Sequence, residues 1–245
     1  MPREFSEVKK KLVSELWLKT VVKAGSIRYP TRKRNKQMTV LTLTNADELG
    51  EIYVFLSNKI IVKEGVLAWN YSFLKVMRLE TELQSVVGKS RYERSICDRT
   101  HEARRFFPKE IINLDFTSQD PQETDGRIEN ELQSVEETLS IQSEHVVPEK
   151  VFVIIYTTLI DSRNLLCDRI AQNSNAKVVR GWSGLNTAEF PNRITDANMK
   201  MQVIKNLLNQ FSSKYGLVFD IEGEMQEQIN GDRFVYSIAG IAKKR

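Results

Sequence analysis

Residues Leu217 to Ala242 read LVFDIEGEMQEQINGDRFVYSIAGIA. Two strand-like runs, Leu217 to Ile229 and Phe234 to Ala242, flank Asn230-Gly231-Asp232. Asn-Gly supplies the positive backbone angles of a tight hairpin turn, so the stretch predicts an antiparallel hairpin. Just before it, Met199 to Tyr215 spaces Val203, Ile204, Leu207, Leu208 and Phe211 as the inner face of a helix.

Upstream of that hairpin, strands and helices alternate. Val151 to Leu159 (VFVIIYTTL) is a continuous apolar run, which only a sheet covered on both faces can bury. Met38 to Leu43 (MTVLTL), Val66 to Tyr71 after Gly65, and Ile111 to Phe116 (IINLDF) read as further strands. Ser95-Ile96-Cys97 reads as a short edge strand, and His101 to Phe107 as a turn or two of helix.

The helices between them are carried by apolar periodicity. Phe5 to Val22 places Phe5, Val8, Leu12, Leu16 and Lys19 near one face, widened by Val13 and Trp17, and Gly25 is expected to end it. Thr44 or Asn45 caps a helix with Leu49, Ile52, Tyr53 and Leu56 that breaks near Asn58. Ser72 caps another, with Phe73, Val76, Met77, Leu79 and Leu83 inward and Gly88 at its end. An acidic helix is expected over about Asp125 to Gln142, and one more from Asp161 or Ser162 to about Gln172. Asn173 to Asn198 reads as irregular, with Gly181-Trp182-Ser183-Gly184 in its middle.

This order predicts an α/β fold: a mostly parallel central sheet, helices on both faces, and a C-terminal antiparallel hairpin. The 245 residues are expected to form a single domain, with residues 1–36 as a helix and basic loop leading into it. Cys97 and Cys167 stand far apart, and His101 and His145 are isolated, so neither a disulfide framework nor a metal site is expected. No phosphate loop of the G-x-x-x-x-G-K-[ST] kind appears. No apolar run approaches the roughly 20 residues of a membrane helix, and MPREFSEVKKKL lacks a signal-peptide core, so a cytoplasmic protein is expected.

The net charge of +4 is unevenly spread. Arg28, Arg32, Lys33, Arg34 and Lys36 crowd together, which suits either a phosphate-binding surface or a solvated loop. Asp120, Glu123, Asp125, Glu129, Glu131, Glu136 and Glu137 form an acidic stretch.

An alternating run closed by an antiparallel hairpin resembles the class I S-adenosylmethionine-dependent methyltransferases, whose last strand inserts antiparallel into the sheet. The resemblance runs from the leading helix to Lys244 and rests on element order rather than on motif identity. It implies S-adenosylmethionine as cofactor, bound at the carboxyl ends of the strands. After the first strand the family has an acidic residue and a glycine-rich turn. This chain has Leu43-Thr44-Asn45-Ala46-Asp47-Glu48, with no glycine, so either Thr44 and Asn45 hold the cofactor in another way or it does not bind.

The resemblance also places a ribose-binding carboxylate where Asn70 stands, and an adenine contact at Asp98; the plain alternatives are a polar strand end and a surface aspartate. Family members that methylate exocyclic amines of bases carry a polar residue, two prolines and an aromatic after the fourth strand. Asn113-Leu114-Asp115-Phe116 is similar but lacks the prolines, and makes Asp115, Phe116 and Asn113 the catalytic candidates. An aspartate ending a buried strand must be hydrogen-bonded or open to a cleft, so Asp115 is either a catalytic acceptor or a cap on the following turn.

Three readings of function follow. One is a diverged methyltransferase-like protein associated with nucleic acid through the basic loop 28–36. Another is a catalytically inactive methyltransferase-like subunit, a pseudoenzyme that binds or scaffolds a larger protein or nucleoprotein complex. Its candidate partner surfaces are the acidic helix around Glu129 to Glu137 and the Trp182 loop. The third is an unrelated enzyme on the same architecture.

Overall fold

A computed structural model of the chain describes residues 3–28, 37–43, 50–70, 89–92, 106–117, 127–160, 197–230 and 233–245. Five strands run parallel: β1 (Met38–Leu43), β2 (Ile61–Asn70), β3 (Lys89–Tyr92), β4 (Ile111–Asp115) and β5 (Val151–Ile160). The hairpin adds β6 (Leu217–Asn230) and β7 (Arg233–Lys244), and the strands lie in the order β3-β2-β1-β4-β5-β7-β6. Only β7, slotted between β5 and β6, runs against the others among the described strands. The expected architecture is therefore present, including the inverted insertion of the last strand.

Alternation along β5 explains its unbroken apolar sequence. Val153 and Ile155 point to one face, Phe152, Ile154 and Tyr156 to the other, and all are buried. The first face is covered by α1 (Arg3–Leu12), a π-helical turn (Val13–Trp17), α2 (Leu18–Arg28) and α3 (Gly50–Ser57), which bury Val13, Leu16, Trp17, Val21, Ile52 and Phe55. The second is covered by α4 (Arg127–His145) and α5 (Ala197–Lys214), with Leu139, Val203, Ile204, Leu207, Leu208 and Phe211 inward. The inner face expected for α5 is thus the one observed.

Several boundaries differ from expectation. The first helix does not stop at Gly25 but continues to Arg28, and Lys19 lies exposed rather than on the inner face. One glycine in a helix costs only about 1 kcal/mol, and buried Val21 and Ala24 on the same turn offset it. The helix end is tied down by Arg28, whose Nε lies 2.8 Å from Glu110 Oε1 and whose Nη1 donates to the Val151 carbonyl at 2.6 Å. Glu110 in turn accepts from the Thr39 amide at 2.7 Å, so α2 is fastened to the amino ends of β1, β4 and β5.

The second strand starts at Ile61, ahead of the expected Val66, and Gly65 lies inside it. The register with β1 shifts there, and a Cβ on Gly65 would stand 3.3 Å from the carbonyl oxygens of both Met38 and Val62. The glycine therefore permits a close approach within the strand instead of preceding it. The edge strand among the described residues is Lys89–Tyr92, while the expected strand Ser95 to Cys97 lies, with the rest of residues 93–105, outside the described part. So do the expected helices after Ser72 and Asp161, the Trp182 loop, and Gly231-Asp232 of the hairpin turn. No described helix is long and apolar enough to cross a membrane.

Two glycines give opposite expectations. On β7, a Cβ at Gly240 would meet the Phe219 ring and stand 2.6 Å from the Asp220 carbonyl oxygen, so Gly240→Ala should lower unfolding free energy by about 1–3 kcal/mol. At Gly25 the closest atom is Met38 Sδ at 3.9 Å, so Gly25→Ala should raise it by about 0.5–1 kcal/mol through helix propensity. Denaturant melts of the two variants check both signs.

Candidate functional site

Where α1 and the π-helical turn cross the sheet, the apolar face gives way to a polar row. Thr42 on β1 stands opposite Asn113 on β4, Asp115 opposite Thr157 on β5, and Thr157 opposite Ser237 on β7. All five side chains are buried, so each needs a hydrogen-bond partner. Trp17 Nε1 donates to Ser237 Oγ at 2.8 Å, and Ser237 shares a 2.8 Å bond with Thr157. Asn113 Nδ2 donates to Thr42 Oγ1 at 3.2 Å, and Thr42 donates to Glu51 Oε1 at 3.4 Å.

Asp115 lies at the carboxyl end of β4 and has two sets of partners. Its Oδ1 accepts from the Thr117 amide at 3.1 Å and the Thr117 hydroxyl at 2.5 Å, which fixes the turn after the strand. Its Oδ2 lies 2.9 Å from Lys9 Nζ, which reaches in from α1 and stands 3.7 Å from Glu51 Oε2. The side chains of Lys9, Glu51 and Asp115 are 12%, 0% and 3% exposed, so this ammonium and its two carboxylates are largely desolvated. Both alternatives left by the sequence bear on Asp115: it caps the turn, and its second oxygen faces a cation from its own chain.

The other expected site residues fare differently. Asn113 belongs to the same network, and its Oδ1 is buried with no hydrogen-bond partner among the described residues. Phe116 points to the opposite face, is 1% exposed, and packs on Tyr156 with ring centroids 5.8 Å apart. It offers no open ring for stacking among the described residues, because continued strand alternation turns it into the α4–α5 core. Asn70 ends β2 opposite Tyr92. Thr44, Asn45, Asp98, Arg32, Lys33, Arg34 and Lys36 lie outside the described residues. Arg28 is engaged by Glu110 and the Val151 carbonyl.

The acidic helix, a candidate partner surface, turns two of its acids inward. Glu131 is buried and accepts from Thr158 Oγ1 at 2.7 Å and from the Tyr156 hydroxyl at 3.2 Å. Glu136 accepts from Lys214 at 2.6 Å and from the Tyr215 hydroxyl at 3.0 Å. Burial, reinforced by Glu136, pushes the Tyr215 phenol above its ordinary range. These acids bind α4 to β5 and α5, which is why charge could stand on its inner face.

Sequence reasoning missed Lys9 and Glu51. Lys9 sits in a Lys9-Lys10-Lys11 run that looks solvated, yet it extends the line of Val13 and Leu16 backwards at helical spacing. That periodicity was the available signal. Glu51 carried none, since an acid in the first turn of a helix is ordinary.

Among solved structures, the chain is similar to a putative transferase from Pyrococcus horikoshii at 10% identity and a TM-score of 0.46, over 93% of this chain and 63% of that one. TYW2 from M. jannaschii, solved in complex with AdoMet, is similar at 8% identity and 0.44, over 92% and 76%. A putative sarcosine dimethylglycine methyltransferase from Galdieria sulphuraria is similar at 12% and 0.46, over 93% and 83%. The chain thus spans less than two thirds of the Pyrococcus horikoshii protein. No family model and no curated protein matches the chain. The fold is methyltransferase-like. That rests on the strand order and the inverted β7, and these likenesses say nothing of this chain's chemistry.

S-adenosylmethionine is the cofactor such a fold implies, and Thr44, Asn45 and Asp98, expected to contact it, lie outside the described residues. The recess beneath α1, lined by Lys9, Leu12, Trp17, Asp115 and Thr157, encloses about 170 Å³ of interatomic space with no room to seat a water. Among the described residues no group of three or more His, Cys, Asp or Glu is arranged to hold a metal ion.

Removing one partner of a buried ion pair strands the other charge. Lys9→Met is therefore expected to lower stability by about 3–5 kcal/mol, and adding Glu51→Gln and Asp115→Asn should recover much of it. Chemical denaturation of the single and triple variants measures both; an unchanged single variant would contradict the burial of this pair.

Proposed function

We propose that this methyltransferase-like protein is not a methyl-transferring enzyme but a binding or scaffold subunit of a larger assembly. The observation that carries this reading is the Lys9 ammonium on Asp115, in a recess without room for a ligand. Two sequence departures support it: the glycine-free Leu43 to Glu48 segment, and Asn70 in place of a ribose-binding carboxylate. A charge-satisfied aspartate at the end of β4 serves packing, and any acceptor role towards a substrate amine would first have to break that ion pair. Titration calorimetry of the full chain with S-adenosylmethionine tests the reading. No binding heat is expected at millimolar cofactor, and a saturable isotherm would sink it.

Nucleic acid is the partner that the charge distribution favours. Residues 29–36, with Arg32, Lys33, Arg34 and Lys36, connect Arg28 to the start of β1. Arg28 is fixed beside Val151 and Glu110, at the amino ends of the strands. The basic segment therefore departs from and returns to the sheet end opposite Asp115, which suits holding a nucleic acid rather than offering it to that rim. Neutralised phosphates release counterions, so affinity should fall with salt at a slope of about 0.9 per contact on duplex DNA. Fluorescence anisotropy with labelled DNA and RNA is expected to show that slope, reduced when all four residues become alanine. Equal binding by the alanine variant removes this partner.

A further inference from the structure

The amino ends of the strands lie level across the sheet. Val40 on β1 stands opposite Ile111 on β4, and Ile111 opposite Val153 on β5, so Met38 and Val151, each two residues earlier, start at one height. Ile61 pairs with Met38, and Lys243 with Val151. Basic residues stand along this line. Lys59 precedes β2 by two residues, Lys150 leads into β5, and Lys243 and Lys244 end β7. Lys59, Lys150 and Lys243 are exposed. Lys244 donates to the Ser143 carbonyl at 2.8 Å, a neutral acceptor that leaves its charge in place.

Both anchor points of residues 29–36 have lysines beside them. The segment leaves α2 at Arg28, which is held at the Val151 carbonyl, between Lys150 and the partner position of Lys243. It returns at Met38, whose amide donates to the Ile60 carbonyl at 2.8 Å, next to Lys59. Lys243 also shares the sheet face of α2, since Ile241, two residues before it, packs in the core beneath that helix. Of the acids on these segments, Glu110 is held by Arg28, while Glu64, Glu144 and Glu149 stand exposed. These three are outnumbered by the four lysines of the rim together with Arg32, Lys33, Arg34 and Lys36.

We infer that this amino-end rim, from Lys59 at β2 to Lys243 and Lys244 at β7, forms one surface with residues 29–36 and takes one backbone of a nucleic acid laid across the strand ends. The inference rests on the nucleic-acid reading above and extends it from one segment to the breadth of the sheet. Neighbouring strands are about 4.8 Å apart, so the four steps from β2 to β7 span roughly 19 Å. One strand of a duplex advances about 3.4 Å per nucleotide, so that span matches about six phosphates. A row of cations suits such a linear polyanion. Contacts of this kind hold and orient a nucleic acid without reading its bases. They also leave the Lys9 and Asp115 pair, at the opposite rim, undisturbed. A membrane surface fits less well: the exposed apolar side chains on adjoining segments, Ile27 and Val147, come from separate elements, and anchoring on lipid draws on a broad apolar face.

Fluorescence anisotropy of a labelled DNA duplex, read over a series of salt concentrations, tests this on the full chain. The variant Lys59→Asn/Lys150→Gln/Lys243→Gln keeps residues 29–36 intact, and Asn suits the left-handed backbone angle of 55° at position 59. Its salt slope is expected to be smaller by about 2–3 than that of the unaltered chain, and its affinity at low salt about tenfold weaker. Lys10→Gln/Lys19→Gln/Arg233→Gln removes the same charge from exposed positions away from this rim and should keep the full slope. Equal slopes for the unaltered chain and the rim variant, or equal losses in both variants, overturn the inference and leave binding by residues 29–36 standing. An unaltered chain that binds no duplex ends the nucleic-acid reading, and this inference with it. Tighter binding to phosphatidylserine vesicles than to the duplex, lost in the rim variant, assigns the rim to a membrane and overturns it too. Should the rim variant fail to fold, Lys150→Gln/Lys243→Gln decides, with a slope expected to fall by about 2.

Discussion

A single ammonium shared by two buried carboxylates fixes how the amino-terminal helix crosses the sheet. Lys9, Asp115 and Glu51 come from α1, β4 and α3, and the charges would be costly to bury apart. Apolar burial alone leaves a helix free to slide and rotate on a sheet face, because the hydrophobic effect has no direction. The polar row removes that freedom. Lys9 sets one point of contact, and the Trp17 indole on Ser237 sets a second, two turns along and two strands away.

The opposite end of the same helical segment has its own fastening. Arg28 binds Glu110 and the Val151 carbonyl at the amino ends of β4 and β5, while Lys9 binds Asp115 at the carboxyl end of β4. At a rise of roughly 1.5 Å per residue, Lys9 and Arg28 are separated by about 29 Å along the helix, and their partners Asp115 and Glu110 by about 17 Å along the strand. The helix therefore runs antiparallel to the parallel strands and is clamped near both of their ends. The chain between the clamps carries most of the apolar side chains that cover this face, from Leu12 to Ala24.

Local signals made the fold legible. Asn230-Gly231 between two strand-like runs, and the unbroken Val151 to Leu159, depend on neighbours in sequence, and each named its element correctly. Asp115 was legible for a related reason: a carboxylate at the end of an apolar strand requires an explanation. Its partner was not, because Lys9 lies far away in sequence and only the packed helix brings it there. Gly65 misled for the same reason. The glycine accommodates backbone atoms of Met38 on a neighbouring strand, which no local pattern reports. The buried acids of α4 were not legible either, because Thr158, Tyr156, Lys214 and Tyr215 supply their donors from other elements.

A carboxylate at a strand end in this fold can be neutralised by a bound ligand or by the protein itself, and the choice has consequences beyond the site. A ligand-neutralised aspartate must stay reachable, so the structure around it has to tolerate an open cleft. Here the chain supplies the cation, and the space beside Asp115 closes to a recess too narrow for water. Closure permits a continuous core beneath α1, with Leu12, Val13 and Trp17 against Val235 and the polar row. At the end of β4 the lysine-paired aspartate thus exchanges access for packing.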